Sequence, residues 1–132
     1  MIKEVTRIEK PWGHEIIWAS TTRYVGKILF INKGSRLSRQ YHNVKEETIM
    51  VLDGTLHLEA GPYFEGDTIH IHEMLPGEVF HILPGTIHRF CAERGDVRLA
   101  ETSTTEIDDV VRLEDDYKRI ANHPPPLRSS EK

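Results

Sequence analysis

The sequence predicts an all-β fold of the sandwich or barrel type, and three observations predict it. Runs of four to eight residues rich in Ile, Val, Thr, Phe and Leu recur between residues 14 and 103. Turn signals containing Gly or Pro separate them, and these residues supply the backbone angles of a chain reversal. Between the runs there is no helical pattern of the roughly 10 to 15 residues that a parallel sheet with crossover helices requires.

The elements follow in chain order. The candidate strands are residues 14–20, 24–31, 36–42, 48–53, 55–60, 68–73, 78–83, 87–93 and 97–103. Residues 105–121 place apolar side chains at mixed spacing among acidic ones, which predicts a final strand followed by a short C-terminal helix. Three consecutive prolines and a polar end predict a flexible tail over 122–132. We therefore expect one domain over 1–121 and a tail over 122–132.

Composition and charge exclude several classes of protein. The 132 residues carry 17 Lys and Arg against 21 Asp and Glu, a formal charge of −4, without a basic run that would bind nucleic acid. No apolar run approaches the roughly 18 to 20 residues of a membrane span, and the first residues lack a signal-peptide core. The single cysteine, Cys91, excludes an internal disulfide. We expect a cytoplasmic protein with neither nucleic acid nor membrane as partner.

Alternation along the strands predicts which histidines face the interior. Ile69 and Ile71 are expected to point toward the core, which would leave His70 and His72 facing solvent. His57, between two leucines, is expected to point outward by the same alternation.

The densest group of polar side chains lies between residues 34 and 54. Arg36, Gln40 and His42 share one strand face, on which neighbours are about 7 Å apart. Glu47 begins the next strand and can meet His42 if the intervening loop turns back. Later, His88 follows a Pro-Gly corner at the start of another strand. Two imidazoles, a carboxylate and a carboxamide oxygen form a plausible divalent-metal site, suited to Lewis-acid chemistry more than to dioxygen activation.

These spacings resemble two cupin motifs. The first motif, G(X)5HXH(X)3,4E(X)6G, resembles the pattern of Gly34, Gln40, His42, Glu47 and Gly54. The second, which ends in PXG(X)2H, resembles residues 77–90, where Gly85 and His88 keep the last spacing. More narrowly, five blocks are similar to the C-terminal isomerase domain of type II mannose-6-phosphate isomerases and mannose-1-phosphate guanylyltransferases: 10–15, the Lys27 strand, 37–47, 84–90 and 107–119.

The resemblance implies a cupin-type jelly-roll barrel with one divalent metal ion (Zn, Mn, Co, Ni or Fe) held by Gln40, His42, Glu47 and His88. The implied reaction is the interconversion of mannose 6-phosphate and fructose 6-phosphate, so a sugar phosphate is the expected small-molecule partner. Small cupins often pair through edge strands, and we therefore expect a homodimer.

Candidate roles beyond metal binding follow from residue type. Lys45 and Glu47 are the candidate catalytic residues, and the candidate cations for a substrate phosphate are Arg36, Lys27 and Lys45. Arg89 follows His88 on the opposite face, which favours a structural salt bridge.

The sequence leaves other functions open. The family's run QxHxHRxEHW is altered here at Val44, Lys45, Thr48 and Ile49. Val44, Thr48 and Ile49, in place of the family's polar and aromatic residues, favour a non-catalytic sugar- or metabolite-binding cupin, including one with a metal-free polar interior. A third alternative is a metal-dependent oxygenase, which Gln40 disfavours.

Overall fold

Two antiparallel sheets enclose the interior of the molecule. The computed structural model describes residues 1–62 and 68–119. The strands within these ranges are β1 (Thr6–Lys10), β2 (Gly13–Ser20), β3 (Val25–Ile31), β4 (Arg39–Tyr41), β5 (Glu47–Asp53), β6 (Leu56–Pro62), β7 (His70–Met74), β8 (Val79–Ile82), β9 (Thr86–Cys91), β10 (Val97–Ser103) and β11 (Val111–Glu114). The predicted all-β class is confirmed.

The strand order places residues that are distant in the chain side by side. One sheet has the order β1-β2-β3-β10-β5-β8, and the other has the order β11-β4-β9-β6-β7. Because strands adjacent in the chain often belong to different sheets, the two cupin-like motifs meet across the interior. Homodimer formation through an edge strand stays a prediction.

Alternation explains the core. Along β10, Val97, Leu99 and Glu101 are buried, and the residues between them are half-buried. Leu58 of the opposite sheet joins Leu99 in one apolar cluster between the sheets. A carboxylate thus follows two apolar residues on an inward face, which marks the point where the core gives way to a polar cavity.

The strand predictions agree with the structure within a few residues, with one omission. β1 was not predicted because Arg7, Glu9 and Lys10 make its sequence polar. It is an edge strand paired only with β2, and edge strands tolerate charged side chains. None of the described residues belongs to a helix long and apolar enough to span a membrane.

The predicted C-terminal helix is not found in the described residues. After β11 the Asp115 carboxylate accepts hydrogen bonds from the backbone N–H groups of Tyr117 and Arg119, at 3.2 and 2.7 Å. Lys118 has φ +57°, which a right-handed helix cannot continue through. The side-chain bond between Asp115 and Arg119 has a helix-like spacing but closes a turn. Residues 120 and 121 and the predicted tail lie outside the described residues.

The alternation argument was wrong for Ile71 of β7, which is on the outer side of the sheet and 68% exposed. His70 and His72 are both exposed, as predicted. They nevertheless lie on the inner side of the sheet, because His70 pairs with Ala60 and His72 with Leu58, and directly paired residues share a face. β7 is an edge strand, and in an edge strand the alternation of apolar and polar residues does not reliably show which side chains face the core. His57 does alternate with core leucines, but it is buried on the outer face beside Glu73.

The turn at Gly54 yields a test of the fold. Gly54 has φ +80°, and a Cβ there would lie 2.2 Å from the carbonyl oxygen of Asp96. Gly54→Ala combines left-handed strain of about 1–2 kcal/mol with a backbone clash, so we expect it to lower the free energy of unfolding more than that, measured by urea denaturation. Gly77→Ala is the matched control, because Gly77 has φ +91° and open space around it. Equal losses for both variants would contradict the assigned clash.

Candidate functional site

A cavity of about 370 Å³ lies between the two sheets, next to the apolar core. Its wall contains charged and metal-ligating side chains from both sheets and from the loops at their ends: Lys10, Glu15, Lys27, Gln40, His42, Lys45, Glu47, His88, Glu101, Asp108, Arg112 and Arg119. Trp12, Leu29, Leu37 and Phe90 supply apolar wall. A site of this composition suits a polar ligand.

Three of the four predicted metal ligands converge in this cavity. Nε2 of His42 lies 3.6 Å from Oε2 of Glu47, and Nε2 of His88 lies 3.4 Å from Oε1 of the same carboxylate. The three ligand atoms lie within 4.8 Å of one another, and all three residues are buried. His42 precedes a loop, Glu47 starts β5 and His88 lies in β9, so the fold brings together parts of the chain up to 46 residues apart.

The hydrogen bonds of the two imidazoles fix which ring nitrogen faces the carboxylate. His42 Nδ1 donates to the backbone carbonyl of Asp109, and His88 Nδ1 donates to that of Thr86 at 2.9 Å. Each ring therefore directs Nε2 toward Glu47. Such a second hydrogen bond is typical of metal-binding histidines.

The charge state of the ligands suits a cation. Burial lowers the pKa of His42 to about 4, with the Glu47 carboxylate opposing that shift. Burial acts to raise the pKa of Glu47, but hydrogen bonding to His88 and the charges of His88 and Lys45 lower it overall. Nε2 of His42 is buried and has no hydrogen-bond partner among the described residues. A lone pair in this position, facing a carboxylate, fits a divalent cation.

Gln40 lies next to this cluster. It is directly opposite His88 in the pairing of β4 with β9, and it lines the cavity. Its amide Nε2 donates to Ser38 Oγ at 2.9 Å. The amide oxygen is therefore the atom available to a cation, and Gln40, His42, Glu47 and His88 are the residues that could hold one.

Lys45 lies between Glu47, one of the candidate metal ligands, and a second buried carboxylate, that of Glu101. Its Nζ lies 3.1 Å from Oε2 of Glu47 and 3.6 Å from Oε1 of Glu101. Burial disfavours the lysine charge, but the two carboxylates more than offset it and raise the pKa of Lys45. Burial and the negative charge of Glu47 raise the pKa of Glu101 to about 7, although Lys45 and Lys27 oppose the shift.

The other two predicted phosphate-binding cations are already paired. Lys27 lines the cavity, where its Nζ lies 3.4 Å from the carboxylate of Glu15. Arg36 lies outside the cavity wall, and its guanidinium bonds Asp116 at 2.7 and 3.0 Å. The structure therefore places Lys27 in the site and Arg36 beside the C-terminal turn. Arg89 is buried and pairs with Glu114 at 3.4 Å, which confirms the predicted salt bridge.

The loop between His42 and Glu47 is organised by Asp109. Its carboxylate accepts hydrogen bonds from the backbone N–H groups of Asn43, Val44 and Lys45, at 3.0, 2.7 and 2.9 Å. The carbonyl of the same residue holds the His42 ring. Asp109 therefore positions the ring of His42, a candidate metal ligand, and the backbone of Lys45.

Sequence reasoning missed three functional candidates: Glu101 and Arg112, which line this cavity, and Asp109, which bonds the loop between His42 and Glu47. Glu101 could have been found, because alternation with Leu99 puts a carboxylate on an inward face. Asp109 and Arg112 fall within the family-like block 107–119, but alternation gave them no role, since their positions depend on how the segment after β10 returns to β4.

Comparisons with known proteins place this arrangement in a family. The sequence matches a family model described as mannose-6-phosphate isomerase C-terminal over residues 1–115. No curated protein sequence matches the chain.

Solved structures share the fold. The capsular polysaccharide assembling protein CapF from Staphylococcus aureus is 16% identical, with a TM-score of 0.75 over 86% of this chain and 32% of that one. KdgF from Halomonas sp. is 18% identical, with a TM-score of 0.65 over 80% and 91% of the two chains. A cupin-superfamily sugar phosphate isomerase from Silicibacter pomeroyi is 19% identical, with a TM-score of 0.58 over 69% and 58%.

These similarities confirm the predicted cupin-type fold. The chain spans about a third of the length of the CapF structures.

Removing the Asp109 carboxylate tests its role in positioning the ligands. We expect Asp109→Ala to weaken Co²⁺ or Zn²⁺ binding by roughly 10- to 100-fold, the usual cost of losing a group that orients a metal ligand. Co²⁺ absorption and Zn²⁺ competition measure the affinity. Asp108→Ala is the control, because it removes the same charge from the neighbouring residue, which lines the cavity and makes no hydrogen bond to the loop N–H groups. Equal affinities for the two variants would refute the positioning role.

Proposed function

Since the chain belongs to the mannose-6-phosphate isomerase C-terminal family, we propose that it is a metal-dependent isomerase that interconverts mannose 6-phosphate and fructose 6-phosphate. The observation that carries the proposal is the pair of imidazoles whose Nε2 atoms both face the Glu47 carboxylate. Gln40, His42, Glu47 and His88 would hold the cation. A bound divalent cation would polarise the carbonyl of the open-chain sugar.

The chain itself must then move a proton between neighbouring carbons of the sugar. Glu101 suits this task, because its carboxyl is buried in the cavity and its pKa is raised to about 7. A group that titrates near neutral pH can both accept and return a proton. Lys45, 3.6 Å away, compensates the negative charge when Glu101 is ionised. In this assignment Glu47 is a metal ligand, and Lys45 is the electrostatic partner of the proton carrier.

The residues that depart from the family pattern lie mostly away from the cavity. Val44 is 63% exposed, and Ile49 is packed in the apolar core. Thr48 is paired with the exposed His81. Of the four departures, Lys45 alone lines the cavity among the described residues. The replacements therefore leave the proposed ligands and Glu101 in place, which supports the catalytic function over the non-catalytic alternative.

An activity assay tests the proposed reaction. Protein treated with chelator and then reloaded with Mn²⁺, Zn²⁺ or Co²⁺ should convert mannose 6-phosphate to fructose 6-phosphate, while the chelated protein should not. His88→Ala should lose both metal and activity, and His81→Ala, an exposed histidine outside the cavity, should keep both. Saturable binding of mannose 6-phosphate without turnover would establish the non-catalytic alternative. Oxygen consumption in the Fe²⁺-loaded protein would establish the oxygenase.

A substitution at Glu101 separates proton transfer from metal binding. We expect Glu101→Gln to lower kcat by about 10²- to 10⁴-fold, the usual contribution of a positioned acid or base, while metal content stays at the wild-type level. Steady-state kinetics and elemental analysis measure the two quantities. Glu46→Gln is the control, since Glu46 is part-exposed and pairs with His81. A kcat near the wild-type value would remove Glu101 from the mechanism.

A further inference from the structure

Arg112 lies in the same cross-strand row as the candidate metal site. Arg112 on β11 is opposite Gln40 on β4, and Gln40 is opposite His88 on β9. Directly paired residues share a sheet face, so Arg112 is on the cavity side, and it lines the cavity. Two strand spacings, about 10 Å, separate its backbone from that of His88.

The guanidinium of Arg112 lacks a partner in the part of the chain that the structure describes. Its Nε is buried without a hydrogen bond, and no carboxylate lies within 4.0 Å of it in residues 1–62 and 68–119. Asp115, the acid whose charge acts on Arg112, is bound by Arg119 at 2.8 Å. A part-buried cation without a counter-charge is costly, so a ligand anion would compensate it.

The surroundings make this position favourable for an anion. Burial lowers the pKa of Arg112, and the like charge of Arg119 adds to the shift. Both arginines line the same cavity. The cations that the sequence suggested are already engaged: Lys27 with Glu15, Lys45 with Glu47 and Glu101, and Arg36 with Asp116.

We propose that Arg112 binds the phosphate monoester of the substrate at the β11 side of the cavity, where Arg119, itself bound to Asp115, adds positive charge. This inference rests on the proposed function for the identity of the sugar. A guanidinium binds a phosphate through two parallel N–H···O bonds, which fixes orientation as well as charge. A ligand held there extends along the row past Gln40, so that the opposite end of its carbon chain reaches His42, Glu47 and His88. Arg112 thus determines specificity for phosphorylated over neutral sugars.

Binding measurements on the chelated full chain test the subsite without requiring turnover. We expect Arg112→Gln to weaken mannose 6-phosphate and inorganic phosphate binding by roughly 10- to 100-fold, the loss expected for a charged hydrogen bond. Calorimetry measures both affinities. Arg98→Gln is the matched control: Arg98 also has a buried, unbonded Nε, but it alternates with the buried Leu99 and pairs with Asp53 on the outer face. This control should bind both ligands as the wild type does.

Arg112→Lys is a conservative variant that controls for a folding defect and tests whether the two parallel N–H donors of the guanidinium are needed. It keeps the charge but loses the planar pair of donors, so its affinity should lie between those of wild type and Arg112→Gln. Wild-type phosphate affinity in both Arg112 variants would overturn the proposal. Glucuronate binding as tight as mannose 6-phosphate, with the same dependence on Arg112, would overturn the assignment to a phosphate.

The outcomes also separate this inference from the proposed isomerase. Arg112-dependent binding of mannose 6-phosphate by a protein without turnover would support the subsite and refute the isomerase. Turnover with a KM unchanged in Arg112→Gln would refute the subsite alone.

Discussion

The carboxylate of Glu47 lies inside the sandwich within 3.6 Å of His42, Lys45 and His88, which come from two parts of the chain, the loop before β5 and strand β9. A buried carboxylate is costly unless it is paired, so these groups have to be held at hydrogen-bonding or ion-pairing distance. A backbone hydrogen bond helps to hold these side chains in place. Gly85 donates its N–H to the carbonyl of His42 at 2.8 Å, which ties the corner before His88 to the loop before Glu47.

The segment after β10 completes the site from the other side. The Asp109 carboxylate accepts hydrogen bonds from three backbone N–H groups of the loop between His42 and Glu47, and its backbone carbonyl accepts one from the His42 ring. β11 then pairs with β4 and adds Arg112 to the row that contains Gln40. On the outer face, salt bridges from Arg89 and Arg36 to Glu114 and Asp116 hold the end of this segment against the sheet. The last described residues are therefore part of the cavity wall.

Charge is distributed along the cavity in an order that suits a two-ended ligand. The candidate metal ligands and the Lys45–Glu101 pair occupy one region, where each lysine charge is matched by a carboxylate. Arg112 lies at the β11 end with no such match among the described residues. A neutral polyol end and an anionic end would thus find different environments in one cavity, because compensation by protein charges is complete at one end only.

The sequence by itself determined the all-β class and most strand positions, because alternation and turn residues are local properties. It also singled out the candidate metal ligands, because the spacing of Gln40, His42, Glu47 and His88 resembles the family motifs. It could not determine that Ile71 is exposed, since an edge strand lacks the covering layer that alternation assumes. It could not distinguish the expected C-terminal helix from the turn at Asp115, because an acidic and a basic residue four positions apart, such as Asp115 and Arg119, can form an ion pair in either structure. Only the tertiary structure decided which cations are free: Arg36 meets Asp116 from 80 residues away, while Arg112 meets no acid among the described residues, and such long-range pairing depends on strand register.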